Sequence, residues 1–343
     1  MIQGFIDRFK RLRMERFLQQ TFRHQYAFVG MGQHSLSNLY PVIRYLGVPL
    51  KYVCVTSEQK AQLIGQKFRD VKATASLDEV LSDESVRGVF VAASPAAHFT
   101  LASKVLRSGK SLFIEKPPCM TADELEQLVA LQQQHAVPVA MAGLQKRYGP
   151  AVQLLKKAVR KERLVSYNLH YRTGAYPEGD ALSDLYIHPL DLVTYLFGKA
   201  DVIASQEVAP GSYCVMLRHE KVTGMLELST VCTWTDPEEQ LQVCTLAADY
   251  RLRQMEELTR QSKPTVMLGI PMEKVFPERK TVEYLYARNN FVPTQTNNQI
   301  VSQGFFNEVS AFVEAVEGRG RQVVSSLDTL RDTDTIMAAI RKG

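Results

Sequence analysis

The sequence lacks the features of several protein classes. Its 343 residues include five cysteines, an odd number without a C-x-x-C pair, which argues against a disulfide framework and against a cysteine-built zinc site. No apolar run approaches the roughly 18 residues that a membrane-spanning helix needs. The N-terminus has no apolar segment followed by a small-residue cleavage site. These absences favour a reduced, cytoplasmic protein.

The chain also carries little net charge. Its formal charge is +5 at pH 7, with 45% hydrophobic and 22% charged residues, a composition that excludes disordered and collagen-like classes. A charge this small gives no reason to expect a nucleic-acid partner, and it suits an anionic small ligand at least as well. The length allows two domains, each with its own core.

Residues 1–24 form a basic amphipathic extension. They hold six Lys or Arg against two carboxylates, and Phe5, Phe9 and Leu12 recur at roughly helical spacing. One interpretation is a helix that binds a membrane surface or a partner. We prefer an extension whose aromatic side packs on the protein's own body or on a second subunit, because basic faces are usually just solvated. We therefore do not expect a membrane partner.

A Gly-x-Gly turn follows the first predicted strand, residues 25–29. Gly30, Gly32 and Ser35 form G-x-G-x-x-S ahead of a segment that can be helical to residue 46. In a dinucleotide-binding turn the first Gly makes the bend, the second lets the backbone approach a pyrophosphate, and the third position is small for close packing. Exposed amides at a helix start also favour phosphates. The candidate cofactor residues here are Gly30, Met31, Gly32, Gln33 and His34.

The second predicted strand, residues 50–55, leads into a polar segment. An NAD site normally has Asp or Glu near this point, where it holds the ribose hydroxyls. This chain has Thr56 and Ser57, with Lys60 close behind. Hydroxyls beside a lysine suit a 2′-phosphate better than a carboxylate would, since two anions repel. We therefore expect NADP, while Glu58 keeps NAD open.

A third buried strand is predicted over residues 86–93. The turn after it, Ser94-Pro95-Ala96-Ala97-His98, should lie beside the dinucleotide. Ser94, Pro95 and His98 are therefore candidate cofactor residues. His98 has a second interpretation, because a histidine near a helix start is often purely structural.

Residues 111–118 read Ser-Leu-Phe-Ile-Glu-Lys-Pro-Pro. The apolar run predicts a buried parallel strand, which the two prolines end. An open α/β sheet holds its ligand at the carboxyl ends of its strands. Glu115 and Lys116 are therefore expected at the cofactor site, and Lys116 is a candidate for chemistry.

Strands alternate with helices up to residue 142, which predicts a doubly wound Rossmann domain over residues 25–148. Beyond it, successive strands predict a second α+β domain, residues 149–343, with an antiparallel sheet. Residues 261–299 contain four prolines and are expected to be loops. The last predicted helix, residues 326–341, is a candidate to pack back on the first domain.

A second constellation surrounds one histidine. Asp184 and His188 are spaced i, i+4, which places them on one helical face. Pro189 is comfortable only in a first helical turn, so the helix can begin at His188 and leave Asp184 on the preceding loop. The pattern suits acid–base chemistry, and it suits a plain helix start where the dipole favours Asp equally well. Residue types alone leave both open.

Together these motifs resemble the glucose–fructose oxidoreductase / inositol dehydrogenase / MocA family. The resemblance covers residues 25–340 and implies a Rossmann domain plus a C-terminal domain with an open, mostly antiparallel sheet. It also implies an NAD(P)-dependent oxidoreductase acting on CH–OH groups of a sugar, inositol or related polyol, and a homodimer or homotetramer formed through that sheet. The motifs, in order, are Gly30-x-Gly32, Ser94-Pro95-x-x-His98, Glu115-Lys116-Pro117, Leu182-x-Asp184-x-x-x-His188-x-x-Asp191 and Tyr195-Leu196-Phe197-Gly198.

The resemblance implies that Lys116 is the catalytic lysine, with Asp184 and His188 as the family's aspartate and histidine. Under this hypothesis His188 is the general base toward a substrate hydroxyl, and Lys116 stabilises charge on the same oxygen. No metal is required. A non-catalytic dinucleotide-binding sensor that kept the fold is the alternative. Candidate substrate residues are Arg147, Tyr171 and Asp191.

Overall fold

The computed structural model of the chain describes residues 2–18, 21–276, 282–291, 298–320 and 323–342. Six parallel strands form its first sheet, and their spatial order is 3-2-1-4-5-6. The order reverses between the first and fourth strands, which is where doubly wound sheets bind ligands. The predicted Rossmann-type sheet is therefore confirmed. The strands are β1 Gln25–Val29, β2 Leu50–Cys54, β3 Lys72–Thr74, β4 Val86–Val91, β5 Ser111–Glu115 and β6 Ala140–Gly143.

Helices connect these strands much as the sequence predicts. Thr121 and Glu124 form the reciprocal capping box expected before the sixth helix. The fifth helix begins at Pro95, so His98 lies in its first turn. The helices are α1 Ile2–Leu18, α2 Tyr40–Tyr45 (preceded by a π-helical turn, Ser35–Leu39), α3 Glu58–Lys67, α4 Leu77–Ser82, α5 Pro95–Arg107 and α6 Ala122–Gln134.

The second sheet has eight strands in the spatial order β16-β13-β12-β11-β7-β10-β9-β8 and confirms the mostly antiparallel prediction. One neighbouring pair, β7 with β10, is parallel. The expectation of loops over residues 261–299 is wrong where a hairpin and the edge strand form, and Pro277 and Pro293 lie outside the described residues. The strands are β7 Leu164–Arg172, β8 Ala200–Ala209, β9 Ser212–His219, β10 Thr223–Ser229, β11 Glu238–Thr245, β12 Ala248–Arg253, β13 Glu257–Ser262 and β16 Val282–Ala287, with the hairpin β14 Val266–Met267 and β15 Ile270–Pro271.

The remaining helices are α7 Pro150–Val159, α8 Ala181–Asp184, α9 Ile187–Phe197, α10 Gln299–Ser302, α11 Phe305–Val316 and α12 Arg331–Arg341, with 3-10 turns at Gln145–Tyr148, Met272–Lys274 and Leu327–Leu330. The helix that returns to the first sheet is α11, whose Phe312 ring lies 4.9 Å from that of Phe90. Helix α12 instead buries Ile336 and Ile340 in the core of the second sheet. The last helix therefore packs mainly on the second domain.

Helix α1 does not bury the apolar residues named above on the protein's own body. Phe5, Phe9 and Leu12 are 74%, 60% and 51% exposed. That part of the preferred interpretation is wrong. Across the described residues we find no helix with the length and apolarity to cross a membrane. All five cysteines are unpaired, and the cytoplasmic location stays a prediction.

Candidate active site

The Gly-x-Gly turn has the geometry that a phosphate-binding turn needs. Gly30 has φ +90°, and a Cβ there would lie 2.3 Å from the Ala92 carbonyl oxygen, so only glycine fits. At Gly32 no atom lies within 4 Å of an added Cβ, which leaves its backbone open for the approach of a ligand. Ser35 is fully buried, as the small third position of the motif requires.

A cavity of about 850 Å³ opens at the carboxyl ends of the first sheet's strands. Every predicted cofactor residue except Ser57 lines it. Ser57 instead caps α3, where its hydroxyl accepts a hydrogen bond from the Lys60 amide at 3.3 Å. The predicted lining residues are Gly30, Met31, Gly32, Gln33, His34, Thr56, Lys60, Ser94, Pro95, His98, Glu115 and Lys116.

Several apolar residues of the cavity wall escape sequence analysis. They follow strand ends or sit on helix starts, and two of them depend on β3, a three-residue strand without a clear pattern. Apolar walls with a few polar groups are typical of small-molecule and cofactor sites. The missed residues are Val29, Cys54, Val55, Ala75, Leu77, Ala92, Ala93, Ala97 and Leu101.

The end of β2 offers this cavity a cation and a hydroxyl. The Lys60 ammonium donates to the Thr56 hydroxyl at 3.4 Å, and both side chains line the cavity. Glu58 is the first residue of α3, is exposed and does not line the cavity. In the sequence, Glu58 left NAD possible as the cofactor. In the structure, its carboxylate lies outside the cavity wall.

His34 and Glu115 join the Gly-x-Gly turn to β5. The Asn38 side-chain amide lies 3.1 Å from His34 Nδ1 and can only donate, so Nδ1 accepts and the proton sits on Nε2. Nε2 then donates to the Glu115 carboxylate at 3.2 Å. The other Glu115 oxygen accepts from the Lys116 amide at 3.2 Å. Buried Glu115 thus links the turn to the backbone that carries Lys116.

Lys116 crosses between the two domains. Its ammonium donates to the Asp184 carbonyl oxygen at 2.6 Å. Burial lowers the pKa of Lys116, while Glu115 and Asp184 act in the opposite direction. A lysine held in this way, beside a large cavity, can contribute a hydrogen bond or a positive charge to a ligand oxygen.

His98 combines the two roles considered for it. It lines the cavity, and its Nδ1 lies 2.7 Å from the Pro117 carbonyl oxygen, which can only accept, so Nδ1 carries the proton. Burial lowers the pKa of His98 and favours the neutral ring. His98 therefore supports the segment that follows Lys116 while also facing the cofactor cavity.

His188 lies in the first turn of α9, which begins at Ile187, one residue before the predicted start. Its pKa is lowered well below its usual range by burial first and then by the charges of Lys116 and Lys146. Within the described part of the chain, no hydrogen bond to its ring nitrogens is found. A neutral, half-buried imidazole next to Lys116 can accept a proton from a ligand.

The Asp184 carboxylate turns toward a neighbouring loop and not toward His188. Tyr176 donates its hydroxyl to Asp184 Oδ2 at 3.2 Å. A Cβ on Gly179 would lie 2.3 Å from the same oxygen, so the loop packs closely against it. The structure brings Asp184 to Lys116 through its backbone carbonyl, and it shows no hydrogen bond between the Asp184 and His188 side chains among the described residues.

Arg147 and Asp191 form a buried ion pair with each other. Arg147 Nε and Nη2 donate to the two Asp191 oxygens at 2.8 Å and 2.5 Å, a bidentate geometry. Nη1 also donates to the Val324 carbonyl and the Thr329 hydroxyl. These bonds tie α9 to the C-terminal segment. They occupy the polar groups of both residues, so the structure does not bring this pair to the cavity.

Lys146 is a functional candidate that sequence analysis missed. Its ammonium pairs with Glu239 and lies 4.9 Å from the centre of the Tyr171 ring. Tyr171 and Glu239 are neighbours across the β7–β11 pair. The Lys146 charge lowers the pKa of both Lys116 and His188. Lys146 and Tyr171 therefore belong to the second-domain side of the site, whereas the adjacent Arg147 points elsewhere.

Fold and site together define a two-domain α/β protein with a Rossmann-type cavity on its first domain, where Lys116 contacts the second. Residues 24–143 match the model of the oxidoreductase family with an NAD-binding Rossmann fold (GFO_IDH_MocA). Residues 24–143 are therefore similar to this family, in line with the resemblance seen in the motifs.

Known proteins similar to this chain point in the same direction. An inositol 2-dehydrogenase from Acidothermus cellulolyticus is 26% identical over 174 residues, which cover 49% of this chain and 50% of the relative. The chain thus matches about half the length of such curated relatives. A dehydrogenase from Chromobacterium violaceum has a TM-score of 0.78 at 16% identity, covering 94% and 95% of the two chains. A levoglucosan dehydrogenase solved with NADH and levoglucosan has a TM-score of 0.76 at 15% identity, covering 93% and 96%. At these identities the structures show a shared fold.

Proposed function

We propose that the protein transfers a hydride between NAD(P) and a secondary alcohol or carbonyl of a sugar, inositol or related polyol. One observation carries the proposal: Lys116 lines the Rossmann-type cavity and also bonds to the Asp184 carbonyl at the end of α8, four residues before His188. A lysine that lines the first-domain cavity is therefore in direct contact with the second-domain segment that leads to the candidate base His188. The inositol and levoglucosan dehydrogenases to which the chain is similar support the substrate class.

In the oxidation direction His188 accepts the proton of the substrate hydroxyl, while the C–H bond of the carbon that carries this hydroxyl breaks. NAD(P), which the cavity residues around Gly30, Gly32 and Lys60 would hold, would supply the hydride acceptor, and the alcohol carbon would become a carbonyl. Lys116 donates a hydrogen bond to that oxygen and stabilises its developing negative charge. The lowered pKa of His188 keeps the ring neutral and ready to accept a proton near pH 7. Reduction runs the same steps in reverse.

Single-turnover hydride transfer, followed by nicotinamide absorbance, tests these roles. A panel of polyols and sugars first identifies a substrate, after which Lys116→Ala and His188→Ala are compared with the wild type. Loss of a general base or of an oxyanion-stabilising group costs about 10²–10³-fold in rate. The matched control is Lys104→Ala, an exposed lysine on α5. Near-normal rates in both site variants would refute the assignment, and cofactor binding without turnover on any substrate would favour a sensor.

For the cofactor we propose a preference for NADP over NAD. Thr56 and Lys60 line the cavity at the end of β2, whereas Glu58 does not. A cation and a hydroxyl match a 2′-phosphate, and Lys60 has no carboxylate partner among the described residues. Titration with NADPH and NADH measures the preference, and Lys60→Glu should reverse it. Tighter NADH binding by the wild type would contradict the proposal.

We also propose that the protein is a homodimer or homotetramer formed through the second sheet. The side of this sheet that bears Met216, Met225 and Cys214 is open to solvent, and Met225 is 53% exposed. Paired β9 and β10 thus present sulfur-bearing apolar side chains outward, where a second copy can cover them. Light scattering of the wild type and of Met225→Lys tests this, since a monomeric wild type would contradict it.

A further inference from the structure

Helix α1 presents an apolar face that the protein body leaves uncovered. We define this face as Phe5, Ile6, Phe9 and Leu12, whose exposed fractions are 74%, 38%, 60% and 51%. At 3.6 residues per turn the four side chains share about one third of the helix circumference. Four large apolar side chains on one exposed stripe form a binding surface, in contrast to scattered apolar residues, which need no explanation.

The same helix carries exposed cations outside that face. Arg8, Lys10 and Arg11 are all exposed, and Arg11 pairs with Glu15 at 3.5 Å. Over the helix as a whole the sequence has five Lys or Arg against two carboxylates. An apolar stripe flanked by an excess of basic residues is typical of a helix that lies in the surface of an anionic membrane.

The chain immediately after α1 is attached to the protein body. The Arg23 and His24 amides donate to the buried Glu317 carboxylate at 2.8 Å and 3.3 Å. The Arg319 guanidinium lies 5.2 Å from the centre of the Phe22 ring. The C-terminal end of the helix is therefore linked to a fixed point on the first domain, while its apolar face remains free to meet another surface.

We propose that α1 docks the protein on an anionic lipid bilayer, with Phe5, Ile6, Phe9 and Leu12 at the headgroup–acyl boundary. Arg8, Lys10 and Arg11 then contact lipid phosphates. Charge complementarity favours lipid over a second copy of the chain, because two copies of this basic helix would bring cations against cations. Helix α1 precedes the amino end of β1, whereas the cavity of the proposed hydride-transfer site lies at the carboxyl end of that strand. Docking of this kind is therefore independent of the hydride-transfer chemistry.

Co-sedimentation of the full chain with vesicles tests the proposal. We expect binding to phosphatidylcholine vesicles that contain phosphatidylglycerol, weaker binding to pure phosphatidylcholine, and loss of binding as salt increases. The triple variant Arg8→Glu, Lys10→Glu, Arg11→Glu should lose more than about 100-fold in partitioning, since each cation contributes roughly fivefold. Phe5→Asp with Phe9→Asp should also abolish sedimentation while leaving thermal stability unchanged.

The matched control is Leu268→Asp, which changes a 95% exposed leucine at the tip of the β14–β15 hairpin. It should leave vesicle binding unchanged. Equal binding to neutral and anionic vesicles, or loss of binding in the Leu268 variant instead of the α1 variants, would overturn the proposal. So would an absence of lipid binding combined with self-association that the Phe5 and Phe9 changes abolish, because a second copy would then cover the face.

Discussion

The cofactor side and the second-domain side of the candidate site are built differently. On the cofactor side, short contiguous segments at strand ends supply almost every group. Backbone geometry decides which residue fits the turn, as at Gly30. On the other side, His188, Lys146 and Glu239 come from an α-helix, a 3-10 turn and a strand far apart in the chain. Their properties arise from charges and burial that only the packed structure brings together.

This difference teaches where a substitution acts. A change in the cofactor turn alters the local backbone, so its effect follows from conformation and space. A change around His188 alters a shared electrostatic environment, so its effect reaches groups that the substituted residue does not touch. Adjacent Lys146 and Arg147 illustrate the difference. Lys146 pairs with Glu239 beside the site, whereas Arg147 pairs with Asp191 away from it.

The largest expected effect follows Arg147→Met, which leaves Asp191 buried without its partner. Breaking a buried, bidentate ion pair costs about 3–5 kcal/mol of unfolding free energy. Chemical denaturation measures it. Arg331→Met removes an exposed pair with Glu126 and should cost less than about 1 kcal/mol. Equal losses of unfolding free energy in the two variants would show that the buried Arg147–Asp191 pair stabilises the fold no more than the exposed pair does.

Next in size is the contrast between the two glycines of the turn. Gly30→Ala forces a Cβ to 2.3 Å from the Ala92 oxygen and places alanine at φ +90°. We expect about 1–3 kcal/mol lower stability together with lost cofactor binding. Gly32→Ala meets no atom within 4 Å, so it should keep its stability and weaken cofactor binding alone. Thermal melts and NADPH titration distinguish these outcomes, and equal destabilisation would contradict the geometry.

A smaller effect should follow Lys146→Met. The Lys146 charge lowers the pKa of His188, so removing it raises that pKa. The acidic limb of the kcat/KM profile should then move to higher pH by about 0.5–1 unit. Glu239→Gln removes the opposite charge and should shift the limb to lower pH, while Lys146→Arg should leave it in place. A limb that moves in the same direction for both Lys146→Met and Glu239→Gln would argue against this electrostatic role.

The smallest expected effect concerns Glu308, a fully buried residue on α11 whose two carboxyl oxygens find no hydrogen-bond partner in the part of the chain that the structure describes. Burial, and then the charge of Glu115, raises the pKa of Glu308 well above its usual range. The folded state therefore holds a proton that the unfolded state releases, so its contribution to stability is full below about pH 4.3 and declines as pH rises. Glu308→Gln should flatten this decline. Denaturation at several pH values measures it, with exposed Glu220→Gln as a control that should leave the slope unchanged.

Much of the first domain could be predicted because its signals are local. Each strand is an apolar run ended by glycine, proline or a polar cap, and the Thr121 capping box lies within four residues. The exception is β3, whose three residues are too few to show a period. Its absence from the prediction also hid the cavity residues Ala75 and Leu77, which follow it.

The second domain shows where prediction from sequence ends. Strands β13 and β16 alternate polar and apolar residues weakly, unlike β12, which alternates fully. The spacing of Asp184 and His188 suggested a side-chain pair, yet the Asp184 carboxylate bonds to Tyr176 and its carbonyl bonds to Lys116. Sequence spacing places two residues near each other, but packing decides which atoms meet.

By itself, the sequence determined the Rossmann-type half of this protein, the turn at Gly30 and Gly32, and the arrival of Lys116 at a strand end. These follow from local propensities and from the rule that parallel strands present their carboxyl ends together. Only the tertiary structure decided that Lys146 faces the site while Arg147 pairs away from it, and that α1 leaves its apolar face exposed. Those outcomes depend on contacts between residues far apart in the chain, which no local pattern records.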